Sequence, residues 1–204
     1  MALEQPQSGA NALLVIDVQD SFKVGDRWNL RNNPMFESNL KRLVDAFRAS
    51  GQLVIFFLTN DADKHFNAES PAYRVMSFLA PRRDEPIIHK YSYNCFTTTN
   101  LQALLLRNGV RTMTITGIKT EQCCETTARV ACDLGFYVDY VTEATMTFPI
   151  SKGPGKGTLS TEDIVERTEC ALRDRFARIR TVDEVIANLS RPSIPMDVRP
   201  VTLV

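Results

Sequence analysis

Apolar residues in this chain fall into short unbroken runs that alternate with stretches of helical apolar spacing. Ala12-Leu13-Leu14-Val15-Ile16 is an uninterrupted run that stops at Asp17. Leu53-Val54-Ile55-Phe56-Phe57-Leu58 is a second, Ile87-Ile88 a short third leading to His89-Lys90, and Thr112-Met113-Thr114-Ile115-Thr116 a fourth. Phe136-Tyr137-Val138-Asp139-Tyr140-Val141 and a short segment at 177–180 complete the series. Continuous rather than alternating apolarity marks strands covered on both faces, as in a parallel sheet.

Between these runs the period changes. Residues 33–48 open on Asn33-Pro34, carry Leu40, Leu43, Val44 and Phe47 on one side, and end before Gly51, which predicts a helix. Further helices are predicted over 98–107, over 123–134, from the capping sequence Ser160-Thr161-Glu162-Asp163 onward, and over 182–189. The polar stretch 59–86 is expected to hold one short helix near 72–79, and the Gly, Lys and Pro of 149–158 predict a loop. Strands alternating with helices mean βαβ units and a parallel α/β sheet. In such sheets, sites form beyond the carboxyl ends of the strands, where strand order reverses. Asp17, Lys90 and Cys123 each follow the carboxyl end of a predicted strand.

With 204 residues, 44% of them hydrophobic, the chain suits one large domain spanning 1–204 with a sizeable core. The tail 191–204, with Pro192, Pro195 and Pro200, shows no core pattern and is expected to be extended, with a neighbouring subunit as one place for it to lie. Zero net charge and the lack of any like-charge block argue against nucleic acid or an anionic membrane as partner. The first residues do not read as a signal peptide, and no apolar run reaches the ~18 residues of a membrane span. The five cysteines include an adjacent pair and no C-x-x-C, which points to the cytoplasm and away from a disulfide framework or a zinc site.

Chemistry concentrates at three positions. Cys123 falls at the first turn of a predicted helix, where unpaired N–H groups carry partial positive charge and stabilise a thiolate. The bland reading, a small buried packing residue, is the one taken for Cys95, Cys124, Cys132 and Cys170. Asp17 ends a wholly apolar strand, which is costly unless the acid is used. For Lys90 the residues alone leave a solvated surface lysine and a functional amine equally open. Gln19, Phe22, Trp28, Tyr91 and Phe96 are candidates to line a pocket, with Phe22 and Phe96 equally readable as core. Arg27, Arg74, Arg82 and Arg83 are candidate carboxylate anchors with nothing to choose between them. His65 and His89 read as polar surface rather than ligands, and the Gly153–Thr158 segment lacks phosphate-loop spacing.

Three segments together resemble a family. They are Leu14-Val15-Ile16-Asp17-Val18-Gln19-Asp20-Ser21-Phe22, then Lys90-Tyr91-Ser92-Tyr93-Asn94-Cys95-Phe96, then Gly117-Ile118-Lys119-Thr120-Glu121-Gln122-Cys123-Cys124-Glu125-Thr126-Thr127-Ala128. Each is weak alone, but in this order they resemble the isochorismatase-like cysteine hydrolases, which include nicotinamidases and N-carbamoylsarcosine amidohydrolases. The resemblance implies a three-layer α/β/α fold with a six-stranded, mainly parallel sheet. It implies an Asp17–Lys90–Cys123 triad, an oxyanion hole of the Lys119 and Cys123 backbone N–H groups, and a cis peptide before Lys119. It also implies a homodimer or homotetramer acting on a small molecule.

Two departures refine this picture. Metal-dependent nicotinamidases carry an Asp-x-His element and further histidines, whereas this chain has only His65 and His89, so no metal or other cofactor is expected. True isochorismate hydrolases lack the nucleophilic cysteine. The leading expectation is therefore a metal-independent cysteine amidohydrolase that cleaves a C–N bond through a Cys123 thioester. An isochorismatase-type vinyl-ether hydrolase is the alternative within enzymes, and a non-catalytic binding or thiol-sensing protein is the alternative outside them.

Overall fold

The computed structural model describes residues 9–63 and 65–189, so the tail expected at 191–204 lies outside the described residues. In chain order its main elements are β1 (Ala10–Ile16), α1 (Phe36–Ala49), β2 (Leu53–Thr59), β3 (Ile87–Lys90), α2 (Leu101–Arg107), β4 (Val110–Ile118), α3 (Glu125–Asp133) and β5 (Tyr137–Met146). There follow β6 (Ile150–Ser151), β7 (Thr158–Leu159), α4 (Thr161–Leu172), β8 (Arg178–Ile179) and α5 (Val182–Leu189). Six strands form one sheet in the order β3-β2-β1-β4-β5-β8, and every neighbouring pair is parallel. Among the described residues no helix is long and apolar enough to cross a membrane.

The unbroken apolar strands are explained by a core on each face of the sheet. From β1, Ala12, Leu14 and Ile16 join one cluster with Leu101 and Leu105 of α2 and Ala128 and Ala131 of α3. Leu13 and Val15 point the other way, into a cluster with Leu40, Leu43, Val44 and Phe47 of α1 and Val182 and Val185 of α5. Each fully buried Leu, Val or Phe contributes roughly 1.5–3 kcal/mol, so a polar residue on either face of β1 would be costly. The result is the three-layer α/β/α arrangement.

Strand order departs in opposite directions from the β1–β4 pair, so the crevice beyond their carboxyl ends is the switch point. Gly117 sets how closely these strands approach. Its φ is 122°, and a Cβ there would lie 2.0 Å from the Ile16 carbonyl oxygen. Thr116 reinforces the junction by donating from Oγ1 to the Leu14 carbonyl at 2.8 Å.

Several expected boundaries shift for local reasons. The first helix starts at Phe36 rather than Asn33, because Asn33 takes a positive φ of 56° and its amide donates to the Glu143 and Thr145 carbonyls. The helix expected at 72–79 is only a 3-10 turn, Ser77–Leu79. That backbone instead pairs with the segment after β1: Asp20 N–H donates to Arg74, Met76 N–H to Val18, and Gln19 bridges Val75. The helix expected from 98 begins at Leu101, since Thr98 Oγ1 accepts from the Tyr91 N–H and Thr99 Oγ1 accepts from the Leu101 N–H. The loop at 149–158 contains the β6–β7 hairpin. Ser160 caps α4 through the Asp163 N–H.

Replacing Gly117 by Ala must push β4 from β1 at the mouth of the switch point. Gly117→Ala is expected to lower unfolding stability by about 3 kcal/mol or more, read as a fall in urea midpoint. A midpoint equal to wild type would show that the strands tolerate separation there.

Candidate active site

The three chain segments that end at the switch point deliver an acid, an amine and a thiol to one place. Asp17 follows β1 in the left-handed region, φ 53°, a conformation a short Asp tolerates better than most side chains. Its backbone N–H is held by the Phe57 carbonyl at 3.0 Å. Lys90 closes β3, and Cys123 lies in a π-helical turn, Thr120–Cys124, between β4 and α3. Lys90 Nζ stands 2.8 Å from Asp17 Oδ2 and 3.6 Å from Cys123 Sγ. Lys90 is 0% exposed and Asp17 is 1% exposed, so the ion pair is out of water.

The ammonium is thoroughly supplied with acceptors. It also donates to Thr59 Oγ1 at 2.6 Å and to the Ser92 and Tyr93 carbonyls at 3.0 and 3.2 Å. The carboxylate is not. Apart from the ion pair, neither Asp17 oxygen has a hydrogen-bond partner among the described residues. A buried acceptor left open beside a thiol can receive that thiol's proton.

Second contacts fix the thiol-bearing turn. The Lys119 carbonyl accepts from the Gln122 and Cys124 N–H groups, the latter a π-type closure. Tyr140 Oη donates to the Thr120 carbonyl at 2.6 Å, and Thr120 Oγ1 meets Thr145 Oγ1 at 2.8 Å. Thr127 Oγ1 donates to the Cys123 carbonyl at 2.6 Å while accepting from the Cys95 N–H. The Ile118–Lys119 peptide is cis.

These electrostatics overturn the expected thiolate. Burial, and then the Asp17 charge, push the Cys123 thiol well above its ordinary value, and Lys90 only partly opposes them. The α-helix proper begins two residues later, at Glu125, so the N–H cluster of its first turn is not centred on the sulfur. Burial raises Asp17 too, against the lowering influence of Lys90. Burial pulls the Lys90 amine down, but the Asp17 carboxylate leaves it above its ordinary value. The thiol therefore rests neutral beside the Asp17–Lys90 ion pair.

Cys123 opens, at 6% exposure, onto a cleft of about 720 Å³ that Asp17 also lines. Phe22, Phe66, Tyr91 and Tyr93 form its aromatic walls. Phe22 and Phe66 meet edge to face with centroids 4.9 Å apart. Of the five residues expected to line a pocket, Phe22 and Tyr91 do so, and Gln19, Trp28 and Phe96 do not. Gln19 is fully buried and spends its amide on the Thr59 backbone and Ser21. Phe96 packs in the core against Phe136. Trp28 carries the Arg31 guanidinium 4.4 Å from its ring centroid. Arg27 lines the cleft, whereas Arg74 pairs with Asp20 and Arg82 lies at the other end of the sheet. Cys170 is exposed and Cys132 half-buried, so neither is the packing residue expected, while Cys95 and Cys124 are core. Thr59, Phe66 and Tyr93 also line the cleft, and no periodic signal in the sequence singles them out individually.

A second hollow of about 300 Å³ lies at the amino-terminal end of the sheet, beside the Arg48–Glu85 ion pair. Its lining holds no cysteine, serine, lysine or histidine, so it offers no comparable chemistry.

A sequence model of the isochorismatase domain matches residues 11–152. The isochorismatase family protein YrdC of Bacillus subtilis is 30% identical over 86% of this chain and 94% of its own. Nicotinamidase 3 of Arabidopsis thaliana is 30% identical over 70% of this chain and 76% of its own. Among solved structures, an isochorismatase-family protein from Chromobacterium violaceum superposes with a TM-score of 0.83 at 26% identity, covering 93% of this chain and 97% of that one.

A neutral resting thiol has a spectroscopic consequence. At neutral pH the ultraviolet thiolate absorbance of wild type should equal that of Cys123→Ala, and a difference should grow only at strongly alkaline pH. A difference of one thiolate at neutral pH would restore the helix-start expectation.

Proposed function

The chain belongs to the isochorismatase family of hydrolases, and on that premise we propose that it is a metal-independent cysteine amidohydrolase cleaving a C–N bond of a small amide or carbamoyl substrate. The observation that carries this reading is the buried Asp17–Lys90 pair touching a thiol at the floor of a cleft. Similarity to a nicotinamidase, whose name denotes amide hydrolysis, supports the same bond type.

The steps follow from the resting protonation. Asp17 takes the Cys123 proton as Sγ bonds to the substrate carbonyl carbon. Lys90 stays cationic throughout and limits the cost of moving negative charge between carboxylate and sulfur. The carbonyl oxygen becomes an oxyanion, met by the Lys119 and Cys123 backbone N–H groups, each such donor contributing roughly 3 kcal/mol. Protonated Asp17 then gives its proton to the leaving nitrogen as the C–N bond breaks, which leaves a thioester. Water, deprotonated by Asp17, attacks the thioester; the acid departs, and Sγ regains a proton from Asp17.

Cys123→Ala should reduce ammonia release from a confirmed amide by about a thousandfold or more, and Asp17→Asn by about a hundredfold or more. For wild type, kcat/KM requires ionised Asp17. Because burial raises that group, activity should be full at neutral pH and fall as pH drops through a value above the usual carboxylate 3.8. An acid limb at or below that value, undiminished turnover in Cys123→Ala, or release of pyruvate from an enol ether in place of ammonia from amides would contradict the reading.

A further inference from the structure

Two cations line the cleft without an ion pair among the described residues. Arg27, exposed on the 3-10 turn Asp26–Leu30, lines the cleft, and its guanidinium sits 4.6 Å from the Phe148 ring centroid. That stacking orients the group without using any of its N–H donors, and Arg27 makes no ion pair or hydrogen bond among the described residues. Lys119 lines the same cleft beside Cys123, and it too has no side-chain hydrogen bond or ion pair there. The two charges sense one another: burial, and then the Arg27 guanidinium, hold the Lys119 amine below its ordinary value, and Glu121, which accepts from Thr147 Oγ1 and does not line the cleft, opposes them only in part. Like charges held near each other in a partly desolvated cleft are unfavourable until an anion enters between them.

The acids of the cleft do not fill that role. Asp17 is committed to Lys90. Asp61 and Asp63 lie on the opposite loop, each turning an oxygen onto a local N–H, of Ala62 and of His65. Neither pairs with Arg27 or Lys119. The aromatic walls, Phe22, Phe66, Tyr91 and Tyr93, suit a small planar or aliphatic body between the anion and the reacting carbonyl.

We propose that the physiological substrate is a small amide that also carries a carboxylate, and that Arg27, with Lys119, is the specificity-determining anchor for that carboxylate. Arg27 presents a planar fork of donors that matches a carboxylate in a bidentate way, and Lys119 adds a point charge. The proposal rests on the amidohydrolase reading for the reacting end of the substrate but not for its anionic end.

Binding tests the anchor without turnover. Cys123→Ala, the full chain with its nucleophile removed, is titrated with succinamate and with its neutral analogue succinamide, by calorimetry or NMR. Succinamate should bind at least about tenfold more tightly, and more weakly as salt is added. Adding Arg27→Gln should cut the succinamate-to-succinamide preference by about tenfold, and Arg27→Lys should restore part of it. Arg27 is exposed, so unfolding is not expected, and unchanged circular dichroism checks this. Equal affinity for the two amides, no succinamate binding, or a preference unchanged by Arg27→Gln would overturn the proposal. Ammonia release by the wild-type chain decides the amidohydrolase reading separately. Succinamate preference without ammonia release keeps the anchor and removes that reading, and ammonia release with no preference for the anionic amide does the reverse.

Discussion

A carboxylate and an ammonium held together out of water, Asp17 against Lys90, is the interaction on which the rest of this site depends. Removing two charges from water costs several kcal/mol per ion, and their attraction recovers this only when geometry and further hydrogen bonds are good. The protein satisfies the ammonium with Thr59, Ser92 and Tyr93 and leaves the carboxylate open. This asymmetry is what a stabilising salt bridge would avoid. Lys90 favours the ionised acid, while the shortage of hydrogen-bond donors leaves its oxygens open, the condition that the proposed proton transfer from the neighbouring thiol requires.

The fold supplies this geometry through backbone constraints rather than through flexible side chains. Parallel strands bring three carboxyl ends to the same edge, and the switch point between β1 and β4 opens the space above them. Gly117 allows the two central strands to close to a distance no side chain would permit. The π turn places Cys123 over the crevice, and Tyr140, Thr120, Thr145 and Thr127 fasten that turn to β5, α3 and the segment after β3. A shift in any of these would be felt at the sulfur, because each bond ends on the turn or, for Cys95, on the Thr127 hydroxyl that holds the Cys123 carbonyl.

How much of this was legible in the amino-acid sequence depended on whether the signal was periodic. The continuous apolar runs marked the strands because both faces of the sheet are covered, and the residues ending those runs were the ones that meet in the cleft. Where structure comes from pairing with distant backbone, the signal vanished. Residues 72–79 have helix-like composition, but their N–H and C=O groups are taken by the segment after Asp17. Phe66 belongs to a loop with no period at all, and Thr59 is the polar last residue of β2, outside the apolar run that marks the strand. Gln19 and Phe96 sit in motifs beside the site, yet one braces β2 and the other fills the core. Proximity in sequence to a reactive residue does not reveal which way a side chain turns.

The thiol shows a different limit. Position after a strand and before a helix predicted a thiolate, whereas burial and a neighbouring carboxylate make the neutral form the resting one. Sequence carries the location of such a group but not its solvation. In the proposed mechanism this neutral thiol, once its proton passes to Asp17, becomes the acyl carrier. Acid quenching during turnover of an amide, followed by mass spectrometry of the peptide containing Cys123, tests it directly. A mass increase equal to the acyl part of the substrate without its amine is expected on Cys123. An unmodified Cys123 peptide while amide is being consumed, under conditions where a thioester survives, would contradict it.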